Sequence, residues 1–328
     1  PSQIHLSQSR FLTLKNKEKR TLEFKDMLVK EDSLKHDSLV VKVDGQLFYS
    51  ILSSLPYLVN SPFESTEKNL NQFVTTGIIS SSFDKFPAIA KMVKKLSQRE
   101  SQYEKMNMND PNLKMGMVET PWVQNIEGGN SMNVLNMLIP EVVEARKALS
   151  IEKLKKSQTS SGGFPWFSGG PPSYHMTSYI LYGLARAQEF NVKIPKKMTV
   201  KAWKYIQSEY SKVIGNCLSR KSCFEMITYI NFIISSFKDE SYFGGVFKTS
   251  DRIKMLEFSY DHWKKHSPQL KAMLALTLSR MNKKERALKV LDSILDSAKT
   301  QKDLGTYWAP EDRSWLWYND TIETHAFI

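Results

Sequence analysis

The chain has 328 residues, is 41% hydrophobic and 24% charged, and carries a formal net charge of +12. That is an ordinary globular balance with enough apolar mass for one large domain or two smaller ones. It excludes a bilayer-spanning helix, which needs about 20 consecutive apolar residues; the apolar run Asn231–Ile234 is far too short. The excess of lysine raises the question of a nucleic acid partner. The lysines are scattered over helix ends and polar faces (Lys91, Lys94, Lys95, Lys153, Lys155, Lys156, Lys196, Lys197, Lys283, Lys284). They do not interleave with aromatics as in an RNA-binding module, so no nucleic acid is expected. The chain opens on Pro1 and closes on Phe327-Ile328 inside an apolar pattern. Both ends read as cut, so a piece of a longer protein is expected, with its targeting signal elsewhere.

Residues 1–45 cluster β-formers at Phe11–Leu14, Arg20–Phe24 and Ser38–Val43. Such short strands cannot stand alone, and they are expected to be part of a flanking β-domain. From residue 46 to 328 the apolar period becomes helical. The expected helices are Phe48–Leu58, Glu67–Ser80, Phe86–Leu96, Ser131–Lys156, Tyr174–Phe190, Lys196–Ile214, Ser219–Lys238, Asp251–Lys264, Pro268–Met281 and Lys283–Lys299. Pro268 suits a first helical turn, Asn282 a tight turn between helices. The methionines between Met106 and Met117 fall in a loop and can fill irregular gaps.

The stretch Gly162-Gly163-Phe164-Pro165-Trp166-Phe167-Ser168-Gly169-Gly170 interrupts this pattern. Four glycines and a proline exclude helix and central strand. Phe164, Trp166 and Phe167 are costly to leave in water, so this loop is expected to plug a cavity between helices. The grammar returns. Gly305 and Trp308 have the separation of Gly163 and Trp166, and Trp315, Trp317 and Tyr318 follow before a helical Thr321–Ala326. Phe243-Gly244-Gly245-Val246-Phe247 is a weaker third copy. Recurrent Gly-aromatic loops feeding helices are a repeat signature. They point to an all-α array, an α/α toroid of paired inner and outer helices; an open helical solenoid is the alternative.

Other chemistry is thin. Cys217 and Cys223 make no metal pattern with the six histidines; a local disulfide and two inert thiols both remain open. His262 and His266 are one turn apart but lack the Glu and third ligand of a zinc site, so a solvated pair is expected. His175 stands where a general base could act, and is read as structural or partly exposed. Cyclases and prenyltransferases of the toroid class need an acidic cluster or a zinc set, and Asp292 and Asp296 stand singly. No cofactor, no metal and no enzymatic activity are expected.

Four segments in order carry a family resemblance: Leu55–Leu58 with Pro62–Lys68; Glu119-Thr120-Pro121-Trp122-Val123; the Gly162–Gly170 loop with Thr177–Ile180; and Tyr307-Trp308 with Trp317-Tyr318 and Ile322-Glu323-Thr324. Together they resemble the thioester domain of bacterial alpha-2-macroglobulins. The resemblance implies a terpenoid-cyclase-like toroid inserted in a β-domain, other domains of the same longer chain as partners, and a periplasmic, cell-envelope or secreted endopeptidase inhibitor. The family's reactive segment is Cys-x-Glu-Gln, whose sulfur is acylated by the glutamine side chain. Here the segment is Ser65-Thr66-Glu67-Lys68. An alkoxide leaves far less readily than a thiolate, and Lys68 has no acyl carbon, so neither half of the bond can form. No covalent trapping is expected, and proteases would be held without a covalent bond. Ser65 is read as a helix N-cap, Glu67 as a first-turn acid and Lys68 as a solvent-facing cation. A Ser-x-x-Lys acyl-enzyme lacks its further motifs. The alternative function is a non-catalytic interaction or adhesion module for a protein or an acidic polymer.

Overall fold

A computed structural model describes residues 17–23, 64–97, 139–301, 305–308 and 321–328. The chain divides into two compact units, one of residues 1–62 with 86–142 and one of 63–85 with 143–328. Outside the described residues lie the strands expected at Phe11–Leu14 and Ser38–Val43, the helix at Phe48–Leu58, the methionine loop, the Glu119–Val123 segment, and Trp315, Trp317 and Tyr318.

In the first unit, Arg20–Glu23 is irregular where a strand was expected, without a strand partner among the described residues. Arg20 Nε instead donates to Glu18 at 2.7 Å. The first unit also holds helix α2 (Pro87–Ser97).

In the second unit each helix begins where a cap or a turn allows it. α1 (Thr66–Lys85) starts after Ser65, whose Oγ accepts the Lys68 amide at 3.1 Å. α3 is Pro140–Ser157, α4 is Tyr174–Glu189, α5 is Lys196–Ser219, α6 is Phe224–Ser236, α7 is Thr249–Asp261, α8 is Pro268–Arg280 and α9 is Lys284–Leu295. Ser173 caps α4, and Ser267 caps α8 with Pro268 in its first turn. Asn282 turns α8 into α9 at φ 60°.

α1, α4, α6 and α8 form a row in which each touches the next. α5 packs on α4, α7 on α6 and α8, and α9 on α8. α6 sits mid-row, and its sequence Phe-Glu-Met-Ile-Thr-Tyr-Ile-Asn-Phe-Ile-Ile-Ser-Ser is apolar nearly all round, as a helix with neighbours on several sides requires. α9 has packing on one side and a single apolar stripe, with Ala287, Val290 and Ile294 buried. α1 meets α4 closely because Gly183 has no side chain: a Cβ there would lie 2.5 Å from Leu70. Trp203 of α5 is fully buried, with Phe237, Phe243 and Phe247 edge-on around it.

Several boundaries depart from the sequence expectation: α1 runs on from Ser80 to Lys85, and α7 covers Thr249–Asp261 rather than Asp251–Lys264. α5 continues past Ile214 to Ser219, and α6 starts only at Phe224 rather than Ser219. The turn between them places Lys221 and Cys223 at positive φ and joins Cys217 to Cys223 in a disulfide. α9 stops at Leu295, not Lys299, because the chain turns into an antiparallel hairpin. Its strands are β1 (Lys299–Gln301) and β2 (Gly305–Tyr307), with Thr300 opposite Thr306. Gly305 therefore lies in a hairpin, and the repeat grammar misplaced it. A short helix, α10 (Thr321–Phe327), packs on α8.

Candidate functional site

The start of α1 and the Gly-aromatic loop lie together. Thr66 N–H donates to the Trp166 carbonyl at 3.0 Å, fixing the loop against the first turn of the helix. Tyr179 of α4 donates to Asn71 Oδ1 at 3.1 Å and ties the same region to the row. Ser65 and Lys68 do not act on each other. Ser65 Oγ accepts the backbone amide, whereas Lys68 Nζ lies 3.3 Å from Glu64, which also meets Lys153 at 3.0 Å. The Lys153 hydrogen bond first, and Lys68 after it, holds the Glu64 carboxyl below the usual carboxylate range.

Lys68 was expected to face solvent and does not. Its side chain is only 11% exposed, the stem lying against protein while the ammonium reaches the exposed Glu64. Glu67 is exposed in the first turn. Among the described residues the hydroxyl of Ser65 has no hydrogen-bonded base, and Lys68 has no acyl group to give. The chain's two cysteines, Cys217 and Cys223, are joined to each other on the α5–α6 turn.

The loop aromatics divide. Phe164 is fully buried, its N–H held by Thr177 Oγ1 at 2.8 Å and its carbonyl by Ser173 N–H at 2.9 Å. Trp166 and Phe167 are 46% and 63% exposed, contrary to the expectation that all three plug the fold. Past Pro165 the backbone swings outward. The Trp166 ring then stacks on His175 at 5.6 Å and 18°, and Phe167 begins a turn closed by Gly170 N–H. His175 is half-buried and its burial lowers its pKa. Trp308 donates from Nε1 to the Ile294 carbonyl at 2.8 Å and meets His325 edge-on. Trp317 lies outside the described residues.

His262 and His266 are not a solvated pair. Both stack on Phe224, His266 is buried, and its Nε2 pairs with Thr228 Oγ1 at 2.8 Å. Burial, helped by His262 and Lys271, pushes its pKa down to about 4. A short 3-10 turn at Trp263–Lys265 breaks the helix on which the two were expected to share a face. Among the described residues no group of three His, Cys, Asp or Glu could hold a metal.

One feature gave no sequence signal: a cavity of about 290 Å³ lined by Tyr210, Ile214, Ile227, Phe247, Met255 and Phe258. Burial and Asp251 push the Tyr210 hydroxyl up to about 12. Its lining comes from α5, α6, α7 and the 246–247 turn, which no local pattern links.

No protein-family model and no curated protein matches this sequence. Solved structures similar to it include two of alpha-2-macroglobulin. One is native alpha-2-macroglobulin from Escherichia coli spanning domain MG7 to the C-terminus, at 15% identity and TM-score 0.45, covering 82% of this chain and 33% of that one. The other is the native conformation of E. coli alpha-2-macroglobulin by cryo-electron microscopy, at 16% identity and TM-score 0.42, covering 77% of this chain and 13% of that one. The chain thus spans a third or less of either molecule.

Proposed function

We propose that residues 46–328 are an alpha-2-macroglobulin-type thioester domain that has lost its thioester, with residues 1–45 belonging to a flanking β-domain. In this reading the row α1, α4, α6, α8 is the inner wall of an α/α toroid, and α5, α7 and α9 belong to the outer wall. The observation that carries it is the start of α1. In the segment that resembles the reactive one, Ser65 serves as a helix cap and Lys68 as the partner of a carboxylate. The domain is then not an enzyme. It is part of a longer periplasmic or envelope protein that hinders proteases by enclosing them, without a covalent bond.

The test uses the full-length protein with a protease. Cleavage of a large protein substrate should fall while a small chromogenic peptide is still cleaved. Methylamine should release no thiol, and no protease conjugate should survive denaturing gels. A denaturant-stable conjugate would refute the loss of the thioester. Undiminished cleavage of the large substrate would refute the inhibitor role.

A further inference from the structure

Residues 157–173 carry no charged side chain, although the helix before them ends in Lys155 and Lys156. Its tip is apolar and outward: Trp166 and Phe167 are exposed, as are Pro171 and Pro172, and a Cβ at Gly169 would meet nothing within 4 Å. Such a tip is not a frayed loop. The Trp166 carbonyl is bonded to α1, Ser173 to Phe164, and Trp166 is backed by the His175 ring. The loop is thus a held platform that presents two large rings to solvent.

Both ends of the loop lean on α5. A Cβ at Gly162 would come within 2.4 Å of the Lys201 carbonyl. Tyr205 OH donates to the Pro172 carbonyl at 3.2 Å, and Gln158 Nε2 joins Gly162 to the Met198 carbonyl. This part of α5 bears Lys197, Lys201 and Lys204, all exposed and spaced i, i+4, i+7 on one stripe. The first acid of α5 is Glu209, which is bound to Lys212. Across the loop, α3 ends in Lys155 and Lys156. The acids nearby are few: Glu64 is held by Lys68 and Lys153, Glu152 by Lys155, Glu67 is exposed, and by the start of α5 Asp239 faces Lys196 while Glu240 is held by Arg252.

We propose that this face docks on an anionic lipid bilayer, with Trp166 and Phe167 entering the headgroup layer and the α5 lysines meeting the negative surface. The combination selects that partner. An acidic polysaccharide uses the cations and gains little from a protruding phenyl ring, whereas a bilayer interface takes up both aromatic rings and lysines. This reading does not depend on the thioester or the inhibitor role.

The chain should co-sediment with phosphatidylglycerol-containing vesicles far more than with pure phosphatidylcholine vesicles, and less at high salt. Phe167→Ser should weaken binding roughly tenfold, and Lys197→Glu with Lys201→Glu and Lys204→Glu on the order of a hundredfold. Lys283→Glu with Lys284→Glu and Lys289→Glu makes the same charge change on α9 and should stay within about twofold of the parent, since distant charges are screened. Far-UV circular dichroism and melting establish that each variant is folded. Equal binding to neutral vesicles, equal loss in the α9 triple variant, or no vesicle binding by the parent would each overturn the proposal. So would vesicle binding that Phe167→Ser leaves intact and dextran sulfate competes away, which would make the face a polyanion site.

Discussion

Two Gly-aromatic segments press on neighbouring residues of the same helix and end differently. Gly162 lies against Lys201 and Gly244 against Val200. In 243–247 both phenylalanines turn inward onto Trp203 and are buried. In 164–167 only Phe164 turns inward, and two rings are left outside. The composition is nearly the same, so composition does not set the direction. The backbone anchors do. Phe164 is bonded at both N–H and carbonyl to the start of α4, whereas among the described residues Trp166 is bonded through its carbonyl, which leaves its ring to cover His175. An aromatic in a glycine loop signals a held conformation before it signals a buried one.

The sharpest break of this contrast is in stability. Trp203→Ala should cost about 3–5 kcal/mol in urea unfolding, as a large ring removed from a closed core. Trp166→Ala should cost less than about 1 kcal/mol, because its ring is half in water already. Similar losses would erase the distinction.

The two stacked histidines extend the comparison. His266 is buried on Phe224 with a pKa lowered to about 4, so the fold favours its neutral form. The unfolded chain, with an ordinary value near 6.5, binds more protons between these limits. The stability from this group is therefore complete above about pH 6.5 and is lost as pH falls toward 4. The loss is on the order of 3 kcal/mol, at 1.36 kcal/mol per unit. Unfolding curves across that range should show it, and His266→Gln, which can keep a bond to Thr228, should flatten it. His175 is lowered too but half-buried, so His175→Gln should change the pH profile less.

Smaller effects test the glycines and the cap. Gly162 and Gly169 both have positive φ, 92° and 85°, but only Gly162 faces a carbonyl. Gly162→Ala should cost about 1–3 kcal/mol and Gly169→Ala about 1 kcal/mol, the conformational part alone. Ser65→Ala should cost about 1 kcal/mol, the worth of an N-cap. Ser65→Cys should remain inert to methylamine, because Lys68 still offers no acyl group.

Much of the fold was legible because its signals are local. Helix periodicity, Ser65 as a cap, Pro268 and Asn282 all act within a turn or two of chain. What was missed depends on residues distant in sequence. The depth of Lys68 follows from its packing and from the salt bridge to Glu64, an acid the motif reading ignored. His266 is buried because α6 brings Phe224 and Thr228 to it. The strands 299–301 and 305–307 escape detection, since two three-residue strands give little alternation: the helical pattern extends to Lys299 and Gly305–Trp308 reads as another Gly-aromatic loop. The candidate site was legible as a pair of degenerate positions, but not as the clamp between Thr66 and Trp166 that unites it with the loop.

The bridge between Cys217 and Cys223 closes a very small ring between consecutive helices. Cross-links of that size restrict the unfolded chain by only about 2 kcal/mol, against nearly 5 for a ring of 100 residues. Helix packing already sets the two thiols side by side, so oxidation can come after collapse and needs no guidance from an isomerase. A reducing agent should then lower the melting point by a few degrees without scattering the helices.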